Sequence, residues 1–472
     1  MNRGPLLVSI LCLASGASHA EDLLAVYDRA LVNDPQIREA DATRLAAREA
    51  RPQAWGTLLP QISGSASDSR AWSDGTSRTQ QLLGAGGIAT FDGGGPTVRN
   101  TKSWSLDLRQ NVFSWANWKT LRVASDTVAQ AEADYLVARQ ALAQRVAQQY
   151  FAVLYAQDVV DASVAARDAF ARQLEQAEKR FEVGLIAITD VQEARAARDT
   201  AAANVIIAKR SLSNAEEVLR ATVGERYPAL NKPAETMPLL TPVPAVEEDW
   251  VRMSMDQNSS LVSSRLAADI ARDRVGVAFG GHLPTLDLVA TGRNHSEVDG
   301  TQTFSNGAAG VNTSNSYGKS IGLQLSIPIF SGGATQSRVR QSQYSWIAAK
   351  ERLERTSRET ERLARDSYLG VISGISQVQA LRQALESSLT ALKATEAGYE
   401  VGTRTAVEVL DSQRLLTQAQ TNYSQARYAY LNSLIQLRLA SGDLDRMTIE
   451  EVNKWLTVSV ASPAREPAPP SP

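Results

Sequence analysis

Twice, about 218 residues apart, the sequence places an aromatic residue, an acid, Val and Gly in the same order: RFEVGLIAITDV at 180–191 and GYEVGTRTAVEV at 398–409. These stretches hold the carboxylates most able to do chemistry, Asp190 in the first and Glu408 in the second, with Asp411 just beyond. Glu408 and Asp411 are three residues apart, so on a helix they share one face a turn apart. Taken by themselves, such acids read as a solvated helix surface. Other chemistry is thin. Beyond residue 20 the only histidines are His282 and His295, without ligand-spaced partners, so no metal site is expected. No phosphate-binding GxxxxGK[ST] is present, and the glycines of GAGGIATFDGGG at 84–95 lack a strand-to-helix context and read as an external loop. No cofactor and no nucleophile-base constellation is expected, so the chain does not read as an enzyme.

Residues 1–20, with a basic start at Arg3, an apolar core and small residues at Ser18 and Ala20, have the form of a secretory signal peptide. The single cysteine, Cys12, lies inside that leader, preceded by Leu11, and does not read as a lipidation site. Past residue 20 no apolar run reaches 18 residues, so any passage through a membrane must use strands. The formal net charge of −2 and the lack of a basic stripe argue against nucleic acid as a partner.

The repetition extends well beyond its most conspicuous copy. Asn33–Ile37 faces Gln257–Leu261, and Leu59-Pro60 faces Leu283-Pro284, both at a shift of about 224. Leu106–Ser114 faces Leu323–Ser331 at about 217, so an insertion lies between 61 and 105, where Gly and Ser abound. The chain therefore reads as a tandem duplication: a first helix-strand-strand-helix repeat over 21–227, a proline-rich linker over 228–247 and a second repeat over 248–447. The segment 448–472, rich in Pro at its end, is expected to be a mostly disordered tail.

Apolar or small residues at Val128, Ala131, Tyr135, Ala138 and Leu142, and again from Val371 to Leu392, recur at alternating spacings of three and four, as in coiled coils. The pattern over 116–180 predicts a helix roughly 95 Å long at 1.5 Å per residue, and shorter helices are expected over 22–58, 188–223, 248–281 and 405–440. Residues 104–112 and 321–329 instead alternate apolar with polar or small, the period of a strand with one greasy face. Four such strands, near 58–72, 100–114, 284–298 and 317–331, are long enough to cross a bilayer. Four strands cannot close on themselves, and lipid does not tolerate unpaired backbone edges, so several chains must share one barrel. Two chains supply eight strands and a filled interior, three supply twelve and room for an aqueous bore. Trp55, Trp72, Trp104, Trp115 and Trp118 gather near the strand ends, as an interfacial belt requires.

The duplicated plan, the Leu-Pro ahead of each strand pair and above all the paired motifs at 181–191 and 399–411 resemble the TolC family of outer-membrane efflux and secretion channels, over essentially the whole chain past residue 20. The resemblance implies a mixed α and β fold: long coiled-coil helices forming a periplasmic tunnel, and four transmembrane strands per chain contributing to a 12-stranded barrel in a homotrimer seated in outer-membrane lipid. It implies passive conduction of drugs or a secreted protein, with a periplasmic adaptor and an inner-membrane transporter as partners. Gly184 and Gly402 end long helices, and the family's adaptors grip such hairpin tips, which puts docking at Val183, Gly184, Leu185, Val401, Gly402 and Thr403. By the same likeness Thr189, Asp190, Tyr399 and Arg404 correspond to a gate latch, and Glu408 with Asp411 to stacked selectivity rings, with Glu408 standing where Asp is usual. A trimeric coiled-coil adhesin or envelope spacer is the rival reading; it requires neither polar alternation in the strands nor a duplicated tip.

Overall fold

The computed structural model describes residues 21–83, 87–94, 97–227, 229–235, 237–303 and 309–461. The expected leader, 1–20, lies outside them, as does 462–472. The chain is mostly helical and divides into two compact units, one built from Met1–Arg44, Ala131–Arg265 and Arg352–Pro472, the other from Leu45–Gln130 and Leu266–Glu351. Among the described residues no helix is long and apolar enough to cross a membrane.

In chain order the elements are helices α1 (Leu23–Asn33), α2 (Pro35–Arg48) and α3 (Ala50–Gly56), strands β1 (Gln61–Ser73), β2 (Thr76–Leu83), β3 (Gly87–Gly94) and β4 (Thr97–Phe113), and helices α4 (Trp115–Glu182) and α5 (Ile188–Val223). After β5 (Ala229–Pro233) the plan recurs: α6 (Glu247–Gln257), α7 (Ser259–Phe279), a 3₁₀ turn, β6 (Thr285–Thr303), β7 (Ala309–Ser326), α8 (Ala334–Glu400) and α9 (Ala406–Ser441). The chain continues through α10 (Arg446–Asn453) to β8 (Leu456–Ala461).

Several expectations are corrected here. The helix expected over 22–58 is three helices, because Pro35 forces Asp34 into an extended conformation (ψ 121°), and Asp34 then caps α2 through Gln36 N. The helix expected over 248–281 breaks at the aligned position, Asn258 (ψ 118°), whose Oδ1 accepts from Leu261 N at 3.1 Å. Residues 87–94, read as part of a loop, form β3 and pair antiparallel with β2. β7 ends at Ser326 rather than 331, where Pro328 cannot donate to a ladder. The tail is not disordered over 448–461: Asp445 caps α10 by accepting from Thr448 N at 2.9 Å, and β8 pairs antiparallel with β5.

The first unit packs around Leu23, Val26, Tyr150, Phe151, Trp250, Tyr430, Leu431 and Ile435, all essentially sealed from solvent. Burial of such side chains stabilises by roughly 1.5–3 kcal/mol each. The small β5–β8 sheet is fastened to the helices by polar contacts. Tyr150 Oη donates to Asn231 O at 2.6 Å, and the buried Arg427 donates to Pro233 O and Ala234 O at 2.9 and 2.7 Å. Glu21 joins the same sheet by a parallel bridge to Leu230.

The second unit carries the four-stranded antiparallel sheet, in the order β1-β4-β6-β7. Its ladder sorts residues by face. One face holds Ser65, Ser67, Ser103, Ser105, Asp107, Arg109, Asp287 and Thr291, joined by hydrogen bonds such as Ser67–Ser103 (2.8 Å), Thr291 Oγ1 to Asp107 (2.9 Å) and Arg109 to Asp287 (2.7 Å). The opposite face holds Ile62, Leu106, Leu108, Leu286, Leu288, Ile321, Leu323 and Leu325. Leu323 and Ile321 are 67 and 77 % exposed, so this greasy face is bare in a single chain. The five tryptophans expected to form an interfacial belt fall into two groups. Trp55, Trp115 and Trp118 lie in α3 and the first turn of α4, and Trp72 and Trp104 lie within strands.

Candidate functional site: the hairpin tips and the acids beside them

The two helical hairpins of the first unit turn at equivalent positions. At the first tip α4 closes with Gly184 at φ +74°; Gly184 N donates to Phe181 O and Leu185 N to Arg180 O, both at 2.9 Å. At the second, α8 closes with Gly402 at φ +82°, with Thr403 N donating to Gly398 O at 2.8 Å. A side chain is strained in that left-handed region, and glycine enters it freely. An added Cβ would meet nothing within 4 Å at either glycine. Val183, Leu185 and Val401 are 70–75 % exposed around them, and Thr403 is exposed as well. The first tip therefore presents bare backbone flanked by Val183 and Leu185, and the second bare backbone flanked by Val401 and Thr403.

The tips differ in how the return helix starts. At the second, Thr405 and Glu408 form a reciprocal capping box: Glu408 N donates to Thr405 Oγ1 (3.3 Å), and Thr405 N donates to Glu408 Oε2 (2.7 Å). Arg404 Nη1 donates to the other oxygen, Glu408 Oε1, at 2.7 Å. The Thr405 amide first, and then Arg404, hold the Glu408 carboxyl below the ordinary glutamate range. At the first tip the cap is Ala187, which has no side-chain bond to give, and Asp190 occupies the position equivalent to Glu408, its amide donating to Ala187 O at 3.2 Å. The Thr-x-x-Glu signature at 405–408 was present in the sequence and marks Glu408 as a cap as well as a charge.

Tyr399, only 6 % exposed, packs against Leu392, Ala406, Val409 and Leu416, and its ring lies 4.4 Å from the Arg180 guanidinium carbon. Its Oη is buried and has no hydrogen-bond partner among the described residues. Within one chain, then, Tyr399 is not joined to Asp190, and Arg404 is joined to Glu408. Thr189 is exposed and Asp190 half-exposed in the first turn of α5. Asp411 pairs with Arg414 at 2.7 Å, both side chains 58 % exposed. Arg180, which stacks on Tyr399 from the other hairpin, was missed in the sequence, because a cation–π contact between residues so far apart leaves no local signal. Among the described residues no group of His, Cys, Asp and Glu is placed to hold a metal ion.

The outer membrane efflux protein family matches residues 26–225 and 250–443. The chain is 36 % identical to the outer membrane protein TolC of Escherichia coli, over 99 % of this chain and 92 % of that one. The chain belongs to the outer membrane efflux protein family. The alkaline protease secretion protein AprF of Pseudomonas aeruginosa is also similar, 28 % identical over 97 % of this chain and 92 % of its own. Among solved structures, the Campylobacter jejuni CmeC outer membrane channel superposes with a TM-score of 0.69 at 20 % identity, covering 93 % of this chain and 90 % of that one. VceC of Vibrio cholerae does so with a TM-score of 0.69 at 18 % identity, covering 90 and 97 %. As a family member the chain is an outer-membrane channel of the efflux and type I secretion kind, and the adhesin or spacer reading has no support.

Proposed function

We propose that three copies of this chain share one 12-stranded barrel in the outer membrane and that their long helices form a tunnel in the periplasm. The observation that carries this reading is the β1-β4-β6-β7 sheet, greasy on one face and polar on the other, whose two outer strands β1 and β7 have no strand partner on their free sides among the described residues. In lipid those edges must be paired, and pairing β1 of one chain with β7 of the next closes a ring. Three chains supply the width for a wet bore lined by the serine-rich face.

Transport through such a bore is passive; the chain carries no energy-coupling chemistry, so a transporter in the inner membrane drives export and an adaptor bridges the two. The adaptor docks on Val183-Gly184-Leu185 and Val401-Gly402-Thr403, where the exposed Val183, Leu185 and Val401 adjoin backbone open to close approach. Thr189, Asp190, Tyr399 and Arg404 form the latch between neighbouring chains: the unpartnered Tyr399 Oη is a donor awaiting an acceptor, and Arg404 can exchange Glu408 for an acid on the adjacent chain. Glu408 and Asp411 set the charge of the periplasmic entrance.

Planar-bilayer recording tests the reading. Purified chain should insert as a trimer and give discrete cation-preferring openings, and deletion of 317–331 should abolish insertion. A monodisperse monomer that conducts would overturn the architecture.

A further inference from the structure

The greasy face of the sheet changes character along its length. From Leu325 to Tyr317 on β7, eight residues or about 27 Å at 3.4 Å per residue, its outward side chains run Leu, Leu, Ile, Lys, Tyr. On β4 they run Leu108, Leu106, Trp104, Lys102, and on β1 Ile62, Gly64, Ala66, Asp68, Arg70, Trp72. The apolar end adjoins the helices and the polar end adjoins the β1–β4 and β6–β7 connections. Trp104 and Tyr317 mark the change, their rings 6.3 Å apart across the sheet.

Beyond and beside those rings stand three cations on the same face. Lys319 Nζ lies 5.2 Å from the Tyr317 ring, Arg70 Cζ lies 5.4 Å from the Trp72 ring, and Lys102 is 74 % exposed. One acid joins them: Asp68 sits opposite Lys102 in the ladder, 3.8 Å from its Nζ, too far for a tight pair. The other outward polar groups, Asn100, Asn294, Ser296, Asn315 and Thr313, are neutral. A face with a net two positive charges per chain, placed where a lipid-facing surface emerges from hydrocarbon, is matched by anionic headgroups. The aromatic rings between the cations offer flat apolar surfaces of the kind sugars stack on.

We infer that this face is a binding site for a phosphorylated glycolipid of the outer leaflet: Lys102, Arg70 and Lys319 take its phosphates, Trp104, Tyr317 and Trp72 pack on its sugars, and the leucines below take its acyl chains. The site rests on the barrel reading, because that reading turns this face toward lipid and its polar end outward. Charge complementarity selects the occupant. Sugar-stacking rings distinguish a glycolipid from a simple anionic phospholipid, which needs the cations alone.

Native mass spectrometry of the full trimer in mild detergent, titrated with bisphosphorylated lipid A, monophosphorylated lipid A and phosphatidylglycerol, tests this. Bisphosphorylated lipid A should bind tightest and phosphatidylglycerol weakest. Lys102→Gln, Arg70→Gln and Lys319→Gln should each weaken lipid A binding about fivefold. Asp68→Asn, which removes the one opposing charge, should strengthen it. Trp104→Leu should weaken lipid A but leave phosphatidylglycerol unchanged. Equal binding of lipid A by wild type and the triple Gln variant would overturn the site. Equal binding of lipid A and phosphatidylglycerol would overturn the glycolipid and leave a general anionic attraction. Trimer mass and bilayer conductance of the same samples report separately on the barrel: a triple Gln variant that remains a conducting trimer while losing lipid A isolates the site.

Discussion

Replacing the tip glycines separates the shape of the turn from access to its backbone. At φ +74° and +82°, any L-residue other than Asn or Asp is strained by roughly 1–2 kcal/mol, and at neither site does a new Cβ strike anything. That cost is small against the 5–15 kcal/mol stability usual for a domain, so Gly184→Val and Gly402→Val should still yield trimers that withstand detergent extraction. Asn tolerates the left-handed region, so Gly402→Asn keeps the turn and merely adds a side chain where an adaptor would approach. If docking needs bare backbone, site-specific cross-linking to the adaptor should fall for Asn and Val alike, by tenfold or more if one buried contact worth about 1.4 kcal/mol is lost. Full cross-linking and export by Gly402→Asn, with loss only in Gly402→Val, would refute the reasoning and assign the glycines to turn geometry alone. Gly442→Ala is the contrasting control: its Cβ would lie 2.5 Å from Gln257 O, so the chain itself should fold poorly.

Glu408→Gln preserves the capping-box pattern while removing charge, so together with Asp411→Asn it should relieve block by a trivalent cation from the periplasmic side without loss of trimer; unchanged block would place the constriction elsewhere. Because the Glu408 carboxyl is held low, its contribution is complete above the ordinary glutamate pKa and is lost only as pH falls through the lower folded value. Cation preference should therefore outlast that of an unassisted glutamate on acidification, and Arg404→Ser should move its loss to higher pH. Tyr399→Phe combined with Arg404→Ser should raise single-channel conductance if, as the proposed latch requires, both side chains donate to a neighbouring chain; wild-type conductance would exclude a latch here. Arg427→Met removes the charged donor that holds Pro233 and Ala234, which should destabilise the first unit by about 1.5–3 kcal/mol and expose β8 to limited proteolysis. An unchanged cleavage pattern would contradict that role.

What was legible in the sequence was local and periodic. Helix α5 begins at 188 and ends at 223, as its pattern indicates, because a motif opens it and Gly224 closes it. Each strand pair opens one residue after a Leu-Pro, where a helix must stop. The break at Asp34-Pro35 was written in the chain too, but the apolar spacing continues across it and conceals the stop. The β5–β8 sheet was illegible for another reason: two short strands more than two hundred residues apart, one in a proline-rich linker, owe their pairing to Tyr150, Arg427 and the packing beneath them. At the tips, residue types and the paired glycines were plain from the repeat. Glu408's partners inside its own chain were less so, and the Arg180–Tyr399 stack, which joins two hairpins, could be seen only in the fold.

The shared barrel is tested most directly by tying its seam. Cys12, the one cysteine, lies in the expected leader, so cysteines placed at Ser65 or Ser67 on β1 and scanned through Ser314, Ser316 and Ser320 on β7 would have only each other to find. Two such residues bridge only when their Cα atoms come within about 7 Å, which adjacent strands allow. In outer membranes under mild oxidation, at least one pairing should give, on a non-reducing gel, a ladder that ends at three chains and collapses to one on reduction. Ladders that end at two chains, or monomer at every pairing, would contradict a barrel built from three copies of the β1-β4-β6-β7 sheet.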